Sequence, residues 1–73
     1  MASKRKERRS LKAERSRMQK EMHSIRRELE QCYRRYNELC DPMQLDACIF
    51  EMNALRAKYS CVVHDLRAIP QQP

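Results

Sequence analysis

Apolar residues in this chain fall into two runs, each spaced in alternating threes and fours. The first comprises Met18, Met22, Ile25, Leu29, Cys32, Tyr36 and Leu39. The second comprises Leu45, Cys48, Met52, Leu55, Tyr59, Val62, Leu66 and Ile69. Such spacing lays an apolar stripe along one side of a helix. Between the runs stands Asp41-Pro42. Asp41 suits a helix N-cap, Pro42 suits the first helical position, and Gln44 at the third completes a capping-box-like arrangement. Proline also turns the residue before it away from helical geometry. The pattern predicts an all-α fold: a two-helix antiparallel hairpin, coiled-coil-like, with a left-handed crossing.

The first helix should run to about Leu39. Its start has two candidates. Ser10 can cap a helix that begins near Leu11, which leaves residues 1–9 as a frayed charged arm, or the helix begins as early as Lys4. Leu11 extends the seam back from Met18, with Arg15 the polar residue within it. The second helix should end near Ala68, because Pro70 has no N–H to donate. This divides the chain into a basic N-terminal arm or helix extension at 1–14, a hairpin at 15–69 with its turn at 40–42, and a flexible tail at 70–73. Folding back at the turn pairs Leu39 with Leu45, Tyr36 with Cys48, Cys32 with Met52 and Leu29 with Leu55. Further out it pairs Ile25 with Tyr59, Met22 with Val62 and Met18 with Leu66. Helix 2 then runs out at Ile69, opposite Arg15, and the residues before Arg15 overhang.

Helix 2 has a second patterned face. Ala47, Phe50, Ala54, Ala57, Cys61 and Ala68 recur at helical spacing opposite the seam, interrupted by His64. One hairpin cannot cover both faces. Good helix propensity accounts for alanines on a solvated face, but not for Phe50. The face is therefore a candidate interface, for a protein partner or for a second hairpin that completes a four-helix bundle.

Composition sharpens this picture. With 73 residues the chain holds one domain at most. Two helices bury little surface, so self-association or a partner is the expected source of further burial. Glycine is absent, which excludes Gly-rich phosphate loops. The net charge of +6 is unevenly placed. Residues 1–20 hold nine Lys or Arg against Glu7 and Glu14, a net of +7, and the remainder is −1. No apolar run follows the basic start, as a signal peptide would need, and none approaches the length of a membrane span. A cytoplasmic location is expected, with Cys32, Cys40, Cys48 and Cys61 as reduced thiols.

The basic residues Lys4, Arg5, Lys6, Arg8, Arg9, Lys12, Arg15 and Arg17 are candidate contacts for an anionic partner. Nucleic acid is one such partner, through phosphate neutralisation and counterion release. An acidic protein is another. An anionic membrane surface fits less well, since Leu11 is almost the sole apolar anchor. Solvation of a small protein is the plain alternative. No aromatic residues interleave with the charges, so base stacking by the arm is not expected. A basic stretch leading into a heptad is also found in leucine-zipper transcription factors. Here the base-reading Asn is missing from Ala13-Glu14-Arg15-Ser16-Arg17, and Pro42 would cut the zipper.

From Tyr36 to Tyr59 the order of residues resembles the YaaL-like family of short bacterial proteins. The resemblance lies in Tyr36, Asp41-Pro42, Leu45-Asp46, Ile49-Phe50 and the Arg56–Tyr59 segment, and extends over roughly residues 28–67. Beyond Tyr59, Ser60-Cys61-Val62-Val63 departs from that family's more aromatic, Leu-rich pattern. The resemblance implies a hairpin in a bacterial cytoplasm. The family is a domain of unknown function, so the likeness supplies no catalytic residues.

Chemistry-bearing constellations are few. Cys61 and His64 lie three apart on one helix side, but a slim hairpin offers no pocket to exclude water. The cysteine spacings of 8, 8 and 13 lack the short paired pattern of zinc sites. Cys32 and Cys48 fall in the seam, where a thiol acts as a small hydrophobe. Tyr36 and Tyr59 can pack their rings in the seam with hydroxyls outward, and the methionines read as core filler. No cofactor, metal or small-molecule substrate is expected. The expected function is a non-enzymatic interaction module, a scaffold or adaptor with a basic arm. The alternative is a sequence-independent nucleic-acid-binding accessory protein.

Overall fold

The computed structural model describes residues 2–70, and they form two α-helices, Ala2–Glu38 (α1) and Pro42–Ala68 (α2). The helices pack side by side as an antiparallel hairpin measuring 61 × 16 × 15 Å. The interior is a single seam. Ile25, Cys32, Met52, Leu55 and Val62 are buried along it, with Met18, Met22, Leu29 and Tyr59 packed against them. Cys48 and Ile69 are also buried. These are the stripe residues expected from the spacing. Contacts across the hairpin lie close to the expected register: Arg35 meets Glu51, Arg26 lies over the Tyr59 ring at 5.7 Å, and Arg15 Nη2 donates to the Pro70 carbonyl at 2.9 Å.

The break follows from its residues. Leu39 N–H still bonds back to the Arg35 and Tyr36 carbonyls, at 3.0 and 3.4 Å, closing the last turn of α1. Asp41 is extended (φ −77°, ψ 121°), and its Oδ1 accepts from Met43 N–H at 3.0 Å. The capping contact therefore reaches the second helical position. Among the described residues, Gln44 returns no bond to Asp41, so half of the capping-box arrangement is made. α2 stops where expected: Ile69 is extended (φ −71°, ψ 125°) just before Pro70.

The start of α1 resolves in favour of the early alternative. Residues 2–10 are helical, and Ser10 lies inside the helix. Ala, Lys, Arg and Glu propagate a helix well, and extending an existing helix avoids the cost of nucleation. The helices have 37 and 27 residues. At ~1.5 Å per residue, α1 is about 15 Å longer than α2. Since both start from the same turn, that excess emerges as an overhang at the far end. It begins slightly earlier in sequence than the register alone suggests, because Leu11 and Glu14 are half-buried and Leu11 lies beside Pro70. The tail residues 71–73 and Met1 lie outside the described residues.

Candidate functional site

Two surfaces carry the candidate residues. The first is the basic overhang. Lys4, Arg5, Lys6, Arg8 and Arg9 are exposed on α1 where, among the described residues, no second helix runs beside it. Lys12 and Arg17 are exposed where the hairpin begins. Arg15 differs: it is half-buried and its guanidinium is engaged by the Pro70 carbonyl. It closes the open end of the hairpin and has less reach toward a partner than its neighbours.

The electrostatics of the overhang are unfavourable on their own. Helical spacing sets Lys4 beside Arg8, Arg5 beside Arg9 and Arg8 beside Lys12, all of like charge. The first turn of α1 holds no acidic side chain, so cations also face the positive end of the helix dipole. A bound anion would relieve both repulsions, and free backbone N–H groups at the helix start point toward such a ligand.

The basic surface does not end with the overhang. A shallow depression further along α1 is lined by Lys20, His23, Ser24, Arg26, Arg27 and Glu30. At 100° per residue, Arg5, Arg9, Lys12, Lys20, Arg27 and Arg34 share the outer side of α1, away from the seam. Glu7, Glu14, Glu21 and Glu28, seven apart, line one flank instead. Summed along the chain, Glu21, Glu28, Glu30 and Glu38 cancel Arg26, Arg27, Arg34 and Arg35, so residues 21–38 look neutral. Around the helix, basic residues predominate on that outer side, which Glu30 and Glu38 share with them.

The second surface is the outer face of α2. Ala47, Phe50, Ala54, Ala57, Cys61 and Ala68 are all exposed, with Phe50 75% accessible. Met43, 81% accessible, extends the face by one position toward the turn. It sits four residues before Ala47, a spacing signal already present in the sequence but masked by its place in the first turn. Near the turn Tyr33 and Tyr36 lie partly exposed at the rim of the hairpin. Arg56 donates to the Tyr33 hydroxyl and lies over its ring.

The thiols divide by burial. Cys32 is fully enclosed and Cys48 nearly so, while Cys40 and Cys61 are exposed. Burial pushes the Cys32 thiol above its ordinary value, Glu51 adds to the rise, and the Arg35 guanidinium opposes it. A thiol held in its neutral form is a packing group rather than a nucleophile. Arg35 in turn is held above its usual value, chiefly by Glu51. The Cys61 and His64 side chains do not join in a site. His64 Nδ1 lies 3.6 Å from Asp65 Oδ1 with both side chains exposed, and among the described residues no hydrogen bond links His64 to Cys61. Among the described residues, no three His, Cys, Asp or Glu side chains converge as metal ligands. No helix among them is long and apolar enough to cross a membrane.

Comparison of the chain with protein-family models, with curated proteins and with solved structures produced no match.

Proposed function

We propose that this chain is a small non-enzymatic interaction module, a helical scaffold or adaptor. It docks through the outer face of α2 and offers its basic arm to an anionic partner. The observation that carries this reading is the overhang: a cationic helix end held clear of the hairpin by the mismatch in helix length. The hairpin sets the arm at its open end, and like-charge crowding along it makes an anion the natural ligand. The likeness to the YaaL-like bacterial family is compatible with this reading and adds no residue role to it.

A second reading, a sequence-independent nucleic-acid-binding accessory protein, gains from the basic outer side of α1. Cations at Arg5, Arg9, Lys12, Lys20 and Arg27 form a track rather than a single patch, and a polyanion can follow a track. Binding of mixed-sequence duplex and of an acidic polypeptide, each titrated against salt, separates the two. Changing Lys4, Arg5, Lys6, Arg8 and Arg9 to Gln keeps good helix formers and removes five charges. If duplex is the ligand, the slope of log affinity against log salt should shrink by about 4–5 in that variant. Affinity for the acidic polypeptide alone would reject the nucleic-acid reading and retain the adaptor. No binding to either at low salt would reject the role given to the arm.

A further inference from the structure

The outer face of α2 carries a second heptad pattern. Met43 begins it and Ala68 ends it, at alternating fours and threes, with His64 its one polar position, and every member is exposed. We propose that its occupant is a second copy of this chain, docked α2 against α2 in antiparallel register about a two-fold axis near Leu55-Arg56. The proposal rests on the reading of this face as a contact surface and names what covers it.

The register follows from size and charge together. An antiparallel pair of heptad helices sets each residue of the face opposite one from the partner's complementary position. About this axis Ala54 faces Ala57, Phe50 faces Cys61, Ala47 faces His64 and Met43 faces Ala68. Every large side chain then meets a small one, and two alanine layers at the centre let the helices approach closely. The flanking positions are charged in a self-complementary way. Asp46 of one copy comes beside Arg67 of the other, and Glu51 beside Lys58. Two-fold symmetry repeats each pair, which makes four opposite-charge contacts. Among the described residues Asp46, Lys58 and Arg67 take part in no ion pair within their own chain, while Glu51 already meets Arg35 at 3.3 Å and would be shared between Arg35 and the second copy's Lys58.

The parallel alternative fails on the same residues. It would set Phe50 on Phe50, His64 on His64, and Asp46 beside Glu51. It would also bring both basic overhangs to one end, where two clusters of like charge repel. The antiparallel arrangement sends the arms to opposite ends. It is isologous, so it closes at a dimer and makes a four-helix assembly with a cationic helix at each pole.

Light scattering of the full chain from micromolar to millimolar concentration is the first test. A dimer is expected, and Phe50→Ala and Ala54→Glu should each shift it toward monomer with helicity retained. Asp46→Arg and Arg67→Asp should each weaken the dimer roughly tenfold, as two attractive pairs become repulsive. The double variant D46R/R67D restores all the pairs in this register and should return affinity close to the parent's. A second readout uses the native thiols. Cys61 should lose reactivity toward a thiol reagent as concentration rises, while Cys40 at the turn keeps it. A monomer throughout, a double variant no tighter than the singles, or unchanged Cys61 reactivity in a dimer would each overturn the proposal. Salt-dependent anion binding by a monomeric chain would overturn this inference while leaving the arm's role standing. A dimer that binds no anion would do the reverse.

Discussion

Cys32 shows how one residue ties packing to proton chemistry. It is enclosed in the seam, and burial raises its thiol above the ordinary value of 9.0, with Glu51 contributing. In the unfolded chain the same thiol releases its proton at the ordinary value. Between those two points the unfolded state binds fewer protons than the folded state, so stability falls as pH rises. The stabilisation is whole below the ordinary thiol range and is lost as pH climbs toward the raised value. Urea unfolding at neutral and alkaline pH should therefore show a decline in stability for the parent chain. That decline should be shallower in Cys32→Ala, which has no group to titrate there. An identical pH dependence in the two proteins would mean that the thiol is not held neutral by the fold. At this scale the sequence was informative: Cys32 was expected in the seam from its spacing alone, because a helix stripe specifies a face residue by residue.

At the scale of elements, the break between the helices is the best-determined feature. Pro42 cannot follow a helical residue without strain, and Asp41 supplies an acceptor for the freed N–H groups. Both signals are local, so both are legible in the sequence. The cap itself is simpler than the sequence suggested. Asp41 bonds to Met43 N–H, and Gln44 adds nothing in return. Asp41→Ala should lower stability by about 1 kcal/mol, whereas Gln44→Ala should be close to neutral. Thermal or urea unfolding of the two variants checks this, and equal losses would show that Gln44 does complete the box. The start of α1 was ambiguous for a physical reason. Ser10 is a good cap by type, but a cap competes with continued propagation, and Ala2–Arg9 contains good helix formers. The outer face of α2 was legible as a pattern because short side chains and Phe50 recur on it. Its first member, Met43, was not, since a first-turn residue has few neighbours to define a period. The basic side of α1 is hidden from a sum of charge along the chain, since acidic and basic residues balance from Glu21 to Glu38 and differ only around the helix.

The whole molecule is defined by unequal lengths. Along the hairpin, each helix is stabilised by the seam it shares with the other. Among the described residues, the turns of α1 before Leu11 have no such partner. A helix end without tertiary packing is held by propensity alone and frays readily. Lys4, Arg5, Lys6, Arg8 and Arg9 crowd it with like charge, opposed by Glu7 alone. Amide exchange should therefore be graded along α1. Residues 3–10 should exchange quickly through local fraying, while Met22 to Tyr36 should exchange only through opening of the hairpin. In circular dichroism the same gradient should appear as a sloping loss of helix before the cooperative transition. Removing residues 2–9 should flatten that slope and leave the midpoint of the main transition nearly unchanged. A polyanion should slow exchange in residues 3–10 selectively, because neutralising the arm removes the repulsion that frays it. Slow exchange at these residues in the free chain would contradict this account, since it would require a contact that the hairpin does not supply. The comparison thus separates an arm that is ordered by its ligand from one that is already held, and it does so without knowing the ligand in advance.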